Sequence, residues 1–365
     1  MSTRADAAAR AAQQQTQDEA SSWSAPADAL IPVTILTGFL GAGKTTLLNR
    51  ILKEDHGHRI AVIENEFGEE GVDGAILARE EEQITVMNNG CICCTVRGDL
   101  IRILNKLYRQ RSKGELDFER VVIETTGMAD PAPVAQTFFA DEKVNERYLL
   151  DAVITVVDAK HGVRQLDEFT EAQQQVAFAD RLLVSKSDLV DDEALGALLA
   201  RLRKINVRAP IANVHFGETD IEDLLDIRGF NLNAILEIQP DFLTNDDHEH
   251  HDEVRSFYIK TDRPLDVRRI DRYIGSLINL YGEQMLRYKG ILSIKGEPRK
   301  VVFQGVHMMA GFDFGPAWRD DERRESVIVF IGRKLPEPLF RELFEDCYAT
   351  DATPDDVRAY AAGSG

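Results

Sequence analysis

Cysteine is scarce in this chain, with four residues in a length of 365. A small disulfide-stabilised secreted fold needs more, so we expect a protein of a reducing compartment, the cytoplasm. No apolar run approaches the ~18 residues that a membrane-spanning helix needs. The first 30 residues also lack the apolar centre of a signal peptide. We therefore expect neither a membrane protein nor a secreted one.

Positive charge is also in short supply. The chain has 43 Lys and Arg against 62 Asp and Glu, a formal net charge of −19. An acidic surface repels both phosphodiester backbones and anionic lipid headgroups. Nucleic acid and membrane surfaces are therefore not expected as partners.

The N-terminal two thirds of the chain have the pattern of an α/β domain. Short apolar runs without polar alternation predict buried strands, and helical stretches lie between several of them. Such strands form a mainly parallel sheet with helices on both faces. Ligands of these sheets bind at the carboxyl ends of the strands. The predicted strands are 31–37, 59–64, 120–125, 151–158 and 181–185 in a domain spanning 31–235, after a disordered tail at 1–30.

The remainder of the chain predicts a second, smaller domain. Residues 236–252 form a polar, acidic linker that contains His248, His250 and His251, which could bind metal loosely or simply be solvated. Residues 253–350 predict an α+β domain with a largely antiparallel sheet, followed by a loose tail at 351–365. The predicted strands are 255–260, 290–295, 300–303 and 326–331, and the predicted helices lie near 266–280 and 336–347.

A complete phosphate-binding loop follows the first strand. Gly38 and Gly43-Lys44-Thr45 have the P-loop spacing between a strand and a helix. In such loops the lysine binds the β- and γ-phosphates, and the hydroxyl that follows it binds Mg²⁺. The residues expected to bind nucleotide here are Gly38, Gly41, Ala42, Gly43, Lys44, Thr45 and Thr46.

Two further segments complete the predicted nucleotide site. Glu124, at the end of a strand, could hold the Mg²⁺ shell, and the amide of Gly127 could contact the γ-phosphate. Asp188 could accept both hydrogens of guanine N1 and N2, while the stem of Lys186 packs over the base. Position 185 is Ser where GTPases usually have Asn, which leaves the guanine preference open. The expected catalytic residues are Lys44, Thr45 and Glu124.

Three of the four cysteines, Cys91, Cys93 and Cys94, lie within four positions. Thiolates prefer Zn²⁺ or Cu⁺ to hard cations. A redox pair or structural thiols are the alternatives, although the spacing is not that of a Cys-x-x-Cys motif. No second cluster completes a closed zinc site, and Cys347 is expected in a core. The missing ligands could come from Glu64 and Glu69, in the region where P-loop GTPases carry a switch.

The order of these motifs resembles the CobW family of P-loop GTPases. The motifs are Gly38-Phe-Leu-Gly-Ala-Gly-Lys-Thr45, Glu64-Asn-Glu-Phe-Gly68, Asn89-Gly-Cys-Ile-Cys-Cys94, Glu124-Thr-Thr-Gly-Met-Ala-Asp-Pro131 and Ser185-Lys-Ser-Asp188. The resemblance covers about 31–347 and implies an N-terminal GTPase domain, a smaller CobW-type C-terminal domain and a slow, metal-responsive GTPase. It also implies Cys93, Glu64 and Glu69 as the main metal ligands, with Cys91 and Cys94 as partners. His307 and Trp318 fall where similar proteins place a client or regulatory surface.

The leading hypothesis is therefore a GTPase that delivers Zn²⁺, or Co²⁺ or Ni²⁺, to a client metalloprotein. Its cofactors would be GTP or GDP and Mg²⁺, and a metal-dependent homodimer is one candidate assembly. The first alternative is a zinc buffer or sensor that binds nucleotide but has no dedicated client. The second is an ATP-dependent small-molecule kinase, which the cysteines and the segment 185–188 disfavour.

Overall fold

The computed structural model describes residues 30–54, 57–66, 76–78, 85–90, 96–214, 224–225, 227, 254–319 and 321–350. Residues 1–29 of the predicted N-terminal tail, the acidic linker with its three histidines and the predicted C-terminal tail lie outside these ranges. Those expectations stay predictions. No helix of the described residues is long and apolar enough to cross a membrane.

The first domain contains a predominantly parallel sheet. Its spatial order is β3-β4-β2-β5-β1-β6-β7-β8, and of the eight described strands β3 alone runs antiparallel to its neighbour. All five predicted strands are confirmed. The strands are β1 (Ile31–Gly38), β2 (Ile60–Glu66), β3 (Ile76–Ala78), β4 (Thr85–Gly90), β5 (Arg120–Glu124), β6 (Tyr148–Asp158), β7 (Arg181–Ser185) and β8 (Ile211–Val214).

Helices cover both faces of this sheet. Apolar residues on one face pack with α1, and apolar residues on the other face pack with α2, α3, α6 and α7. This double burial explains why the central strands have no polar alternation. The helices are α1 (Lys44–Ile51), α2 (Val96–Ser112), α3 (Ala132–Ala140), α4 (Glu142–Asn145), α5 (Gly162–Glu168), α6 (Thr170–Phe178) and α7 (Asp192–Ile205).

The second domain is an antiparallel sheet with the order β12-β11-β10-β13-β9. The α+β prediction is confirmed, with two differences in the strands. The strand predicted at 290–295 runs from Met285 to Leu292, and β12 was not predicted because its glycines and proline interrupt the apolar pattern. The elements are β9 (Val254–Thr261), α8 (Val267–Tyr281), β10 (Met285–Leu292), β11 (Arg299–Val306), β12 (Met309–Ala317), β13 (Ser326–Arg333) and α9 (Glu337–Phe344).

The central strands of the second sheet have buried side chains on both faces. Along β13, Ile328 and Phe330 join a core with α8 and α9, whereas Val329 and Ile331 join the core of the first domain. Val254 and Leu286 belong to that first core as well. Because side chains alternate along a strand, one sheet contacts its own helices and the first domain at the same time. The two domains therefore share a continuous hydrophobic core.

Candidate nucleotide and metal site

The phosphate-binding loop joins β1 to α1 at the carboxyl end of the sheet. Gly38, Gly41 and Gly43 have φ angles of 144°, 75° and 101°, a region that favours glycine. At Gly38 a Cβ atom would lie 2.3 Å from the carbonyl oxygen of Val156 on the neighbouring strand β6. The loop can therefore form only with glycine at this position, which agrees with the P-loop spacing.

Lys44 begins α1 and is buried, with 8% of its surface exposed. Its Nζ donates to the carbonyl oxygens of Gly38 at 2.8 Å and of Phe39 at 3.3 Å. Burial lowers the pKa of Lys44, and the charge of Glu124 partly opposes that shift. The ammonium group is thus held inside the loop, where a phosphate oxygen can replace a backbone carbonyl as its partner.

Thr45 and Glu124 are hydrogen-bonded to each other next to this loop. The Thr45 hydroxyl donates to Glu124 Oε1 at 2.9 Å, which joins the start of α1 to the end of β5. Next to them, Thr125 Oγ1 donates to Thr37 Oγ1 at 2.8 Å, so β1 and β5 are also linked at their ends. A hydroxyl and a carboxylate are the oxygen ligands that Mg²⁺ prefers, and the pair therefore fits that ion.

Gly127 packs directly on the phosphate-binding loop. A Cβ at Gly127 would lie 2.6 Å from Leu40 Cδ2 and 2.7 Å from Leu40 Cα. Only glycine allows the segment after β5 to approach the loop this closely. The contact places the backbone of Gly127 against the predicted phosphate-binding loop, and its γ-phosphate contact stays a prediction.

The segment 185–188 is tied to the same loop from the other side. Ser185 Oγ donates to the carbonyl oxygen of Ala42 at 2.7 Å. Lys186 has a φ of 56°, and its Nζ donates to Gly41 O at 2.8 Å and to Asp158 Oδ2 at 2.7 Å. The serine that replaces the usual asparagine therefore still connects this segment to the phosphate-binding loop. Asp188 lies in the 3-10 helix Ser187–Leu189 that follows.

Asp158 is a site residue to which the sequence analysis gave no role. Its Oδ1 accepts from the amides of Lys160 at 2.8 Å and His161 at 3.2 Å, and its Oδ2 accepts from Lys186. The carboxylate therefore fixes the turn after β6 and the direction of the Lys186 side chain. Its position at the carboxyl end of a strand was the signal that could have identified it.

The predicted transition-metal ligands are only partly within the described residues. Glu64 is in β2, in register with Glu124 of β5 and with Asn88 of β4. Residues paired directly across neighbouring strands project to the same face, so Glu64 and Glu124 share the face covered by α1. Cys91, Cys93, Cys94 and Glu69 lie outside the described ranges. The described residues contain no group of three His, Cys, Asp or Glu side chains arranged to hold a metal ion.

Of the two residues that the resemblance places at a client or regulatory surface, Trp318 is buried and His307 is half-buried. Trp318 has 8% of its surface exposed, and Lys300 Nζ lies 4.8 Å from the centre of its ring. His307 is in the turn between β11 and β12, and its ring centroid lies 5.9 Å from that of Phe178 in α6. His307 therefore faces the first domain, and burial lowers its pKa. These contacts indicate that His307 packs between the two domains.

Comparison with known proteins identifies the family. Residues 32–213 match the CobW/HypB/UreG nucleotide-binding domain, and residues 254–348 match the cobalamin synthesis protein CobW C-terminal domain. The chain belongs to the CobW family. The resemblance inferred from the motifs is thus confirmed, and so is the combination of a P-loop domain with a CobW-type C-terminal domain.

Individual CobW-family relatives match over nearly their whole length. The zinc chaperone YjiA of Escherichia coli is 44% identical over 315 residues, which are 86% of this chain and 98% of YjiA. The zinc chaperone CobW of Pseudomonas aeruginosa is 34% identical over 349 residues, 85% of this chain and 89% of that protein. A crystal structure of the Zn(II)-bound YjiA GTPase superposes with a TM-score of 0.74 at 39% identity, covering 88% of this chain and 100% of that one.

Proposed function

We propose that this CobW-family protein is a GTPase that binds zinc and transfers it to a client metalloprotein under the control of its nucleotide state. One observation carries the proposal: Glu64, an expected zinc ligand, is in register with Glu124, which contacts Thr45 of the phosphate-binding loop. An expected zinc ligand and an expected nucleotide-binding residue therefore lie side by side on neighbouring strands of one sheet. The names of the relatives, zinc chaperones in two bacteria, support the same conclusion.

The chemistry of GTP hydrolysis follows from the residues around the loop. Lys44 and the loop amides bind the phosphate oxygens and stabilise the charge that develops on them in the transition state. Mg²⁺ bound at Thr45 and Glu124 would neutralise phosphoryl charge. Asp188 selects guanine by accepting its N1 and N2 hydrogens. The amide of Gly127 is well placed to respond to the γ-phosphate because this residue packs on Leu40.

Zinc capture is assigned to the segments next to β2 and β4. The backbone of Gly90, the last residue of β4, is in register with Glu66 of β2, two residues after Glu64. Cys91 follows Gly90 directly in the sequence. This register supports a site that combines carboxylates of Glu64 and Glu69 with thiolates of Cys91, Cys93 and Cys94. Zinc is here the cargo, and Co²⁺ or Ni²⁺ could take its place in the same ligand set.

Several finer features belong to the same proposal. We expect a slow intrinsic GTPase in the cytoplasm, an unidentified client metalloprotein, and a homodimer that forms only with metal. The alternative is a zinc buffer or sensor without a client. Such a protein would bind zinc with the same affinity whichever nucleotide it holds.

The test is phosphate release from GTP, with and without Zn²⁺, compared with release from ATP. We expect faster release from GTP than from ATP and a change on adding Zn²⁺. The variant Cys93→Ser should lose the zinc response, and the buried-thiol control Cys347→Ala should keep it. Equal turnover of ATP and GTP, or a zinc response that survives in Cys93→Ser, would contradict the proposal.

A further inference from the structure

Helix α6 contains three successive glutamines that are almost completely buried. Gln173, Gln174 and Gln175 have 5%, 5% and 1% of their surface exposed, and every residue from Ala172 to Phe178 is buried. Burial of an amide side chain is unfavourable unless its polar atoms find partners. Three such residues in a row therefore indicate specific contacts, and these contacts go to two different parts of the protein.

Two of the glutamines hold the segment that follows β5. Gln175 Nε2 donates to the carbonyl oxygens of Gly127 at 3.2 Å and Ala129 at 3.0 Å. Gln174 Nε2 donates to Asp130 Oδ2 at 3.1 Å. We call residues 125–131, which include Gly127 packed on Leu40 of the phosphate-binding loop, the sensor loop. These three hydrogen bonds join the sensor loop to α6.

The third glutamine and the end of α6 hold the C-terminal domain. Gln173 Oε1 accepts from the amide of Val254, the first residue of β9, at 3.2 Å. The carbonyl oxygen of Phe178, which ends α6, accepts from Arg287 of β10. One helix of nine residues thus contacts the sensor loop with two side chains and the second domain with the third side chain and its C-terminal end.

A buried ion cluster strengthens this second contact. Asp180, two residues beyond α6, accepts from Lys289 of β10 at 2.8 Å and also from Arg287. Its other oxygen accepts from the Val153 amide of β6 at 2.9 Å. Breaking such a cluster leaves buried charges without partners. If α6 moves, β10 is therefore expected to move with it, because breaking these contacts would be unfavourable.

We propose that Gln173, Gln174 and Gln175 couple the sensor loop to the C-terminal sheet, so that the nucleotide state changes the position of β9 and β10. The coupling rests on the nucleotide-responsive GTPase proposed above and adds the route by which the second domain detects GTP. A displaced sensor loop must either break the three hydrogen bonds that Gln174 and Gln175 donate to it or move α6 with it. Since α6 is bound to β9 and β10, the C-terminal domain moves in turn.

The experiment is hydrogen exchange of the full chain with Mg²⁺ and either GDP or a non-hydrolysable GTP analogue. In the unaltered protein, amides of the sensor loop should differ between the two nucleotides. Amides of β9 and β10 should also differ, by roughly three-fold in exchange rate, as expected for a linked local opening. The double variant Gln174→Met, Gln175→Met keeps the side-chain length but removes the donors. It should keep the sensor-loop difference and lose the difference in β9 and β10.

The matched control is Gln136→Met on α3, which should behave like the unaltered protein.

A sensor loop that responds while β9 and β10 do not would overturn the coupling but leave the GTPase proposal standing. Strands that respond as fully in the double variant would overturn the role of the glutamines. If the sensor loop itself shows no difference, both proposals fail. Should the double variant not fold, Gln173→Met tests the same link from the C-terminal domain, and an undiminished response of β9 would contradict the coupling.

Discussion

The hydroxyl of Thr45 donates to Glu124 Oε1 at 2.9 Å, which joins the start of α1 to the end of β5. In the nucleotide-bound protein this pair is expected to hold Mg²⁺. Thr45→Ala should therefore lower kcat for GTP hydrolysis by about 100-fold, since it removes an expected ligand of the Mg²⁺ that would neutralise phosphoryl charge. Thr45→Ser keeps the hydroxyl and should retain most of the activity. Steady-state phosphate release at several Mg²⁺ concentrations checks this, and equal activity of the Ala and Ser variants would contradict the assignment.

Base selection should depend on the carboxylate of Asp188. An amide at this position donates a hydrogen where the carboxylate accepts one, and xanthine carries a carbonyl oxygen where guanine carries its 2-amino group. Asp188→Asn should therefore weaken GTP binding and favour xanthosine triphosphate. Competition against a fluorescent nucleotide measures both affinities.

The control for base selection is Asp192→Asn, an exposed position at the start of α7. This variant should leave the preference for GTP unchanged. An Asp188→Asn protein that still prefers GTP to xanthosine triphosphate would show that another group selects the base. Position 185, where Ser replaces the usual Asn, makes this outcome worth testing.

The buried cluster of Asp180, Arg287 and Lys289 should dominate the acid stability of the protein. Burial alone would raise the pKa of Asp180, but the charges of Arg287 and Lys289 outweigh burial and hold that pKa below its usual value. The stabilisation is therefore complete above the unfolded-state pKa of about 3.9 and is lost as the pH falls toward the folded-state value. Asp180→Asn should lower the free energy of unfolding at neutral pH by about 3–5 kcal/mol, because two buried cations lose their partner.

Urea unfolding at pH 7 and in the acid range measures this effect. The matched control is Asp262→Asn, which removes one of the two acidic partners of Arg323, in an exposed ion pair of 2.6 Å. Solvent screens that pair, and its loss should change stability little. A result in which both variants are equally stable, or in which Asp180→Asn keeps the acid dependence of the unaltered protein, would count against the buried cluster.

Two glycines should respond to alanine in opposite directions. At Gly38 a Cβ would meet the Val156 carbonyl oxygen at 2.3 Å, so Gly38→Ala should destabilise the fold by about 2–4 kcal/mol. At Gly196, inside α7, a Cβ would meet nothing within 4 Å. Gly196→Ala should therefore stabilise the protein by about 0.5–1 kcal/mol. Chemical denaturation of both variants checks the signs, and destabilisation by Gly196→Ala would show that α7 is more constrained than the structure indicates.

The residues expected to bind nucleotide lie in short local motifs, so the sequence alone was enough to propose them. The spacing of Gly38, Gly43 and Lys44 and the strand ends at Glu124 and Ser185 each follow from short patterns. The topology then brings the strand ends together at one edge of the sheet. The roles of Asp158 and Ser185 were missed because their partners, Lys186 and Ala42, are defined by packing between distant segments.

The contacts between the domains could not be predicted from the sequence. A row of three glutamines in a short helix suggests an exposed surface, yet Gln173–Gln175 are buried because their partners come from residues 127–130 and from Val254. The β12 strand was missed for a different reason. Its glycines and proline are tolerated because it lies at the edge of its sheet, where one side of the strand needs no partner.

The affinity for Zn²⁺ in the two nucleotide states decides whether nucleotide controls zinc binding in this protein. Competition with a chromophoric chelator measures it in protein bound to GDP and to a non-hydrolysable GTP analogue, for the unaltered chain, Cys93→Ser and the control Cys347→Ala. We expect tighter zinc binding with the GTP analogue, and this difference should be lost in Cys93→Ser and kept in Cys347→Ala. Equal affinities in both nucleotide states would contradict a nucleotide-controlled zinc chaperone and favour a zinc buffer or sensor.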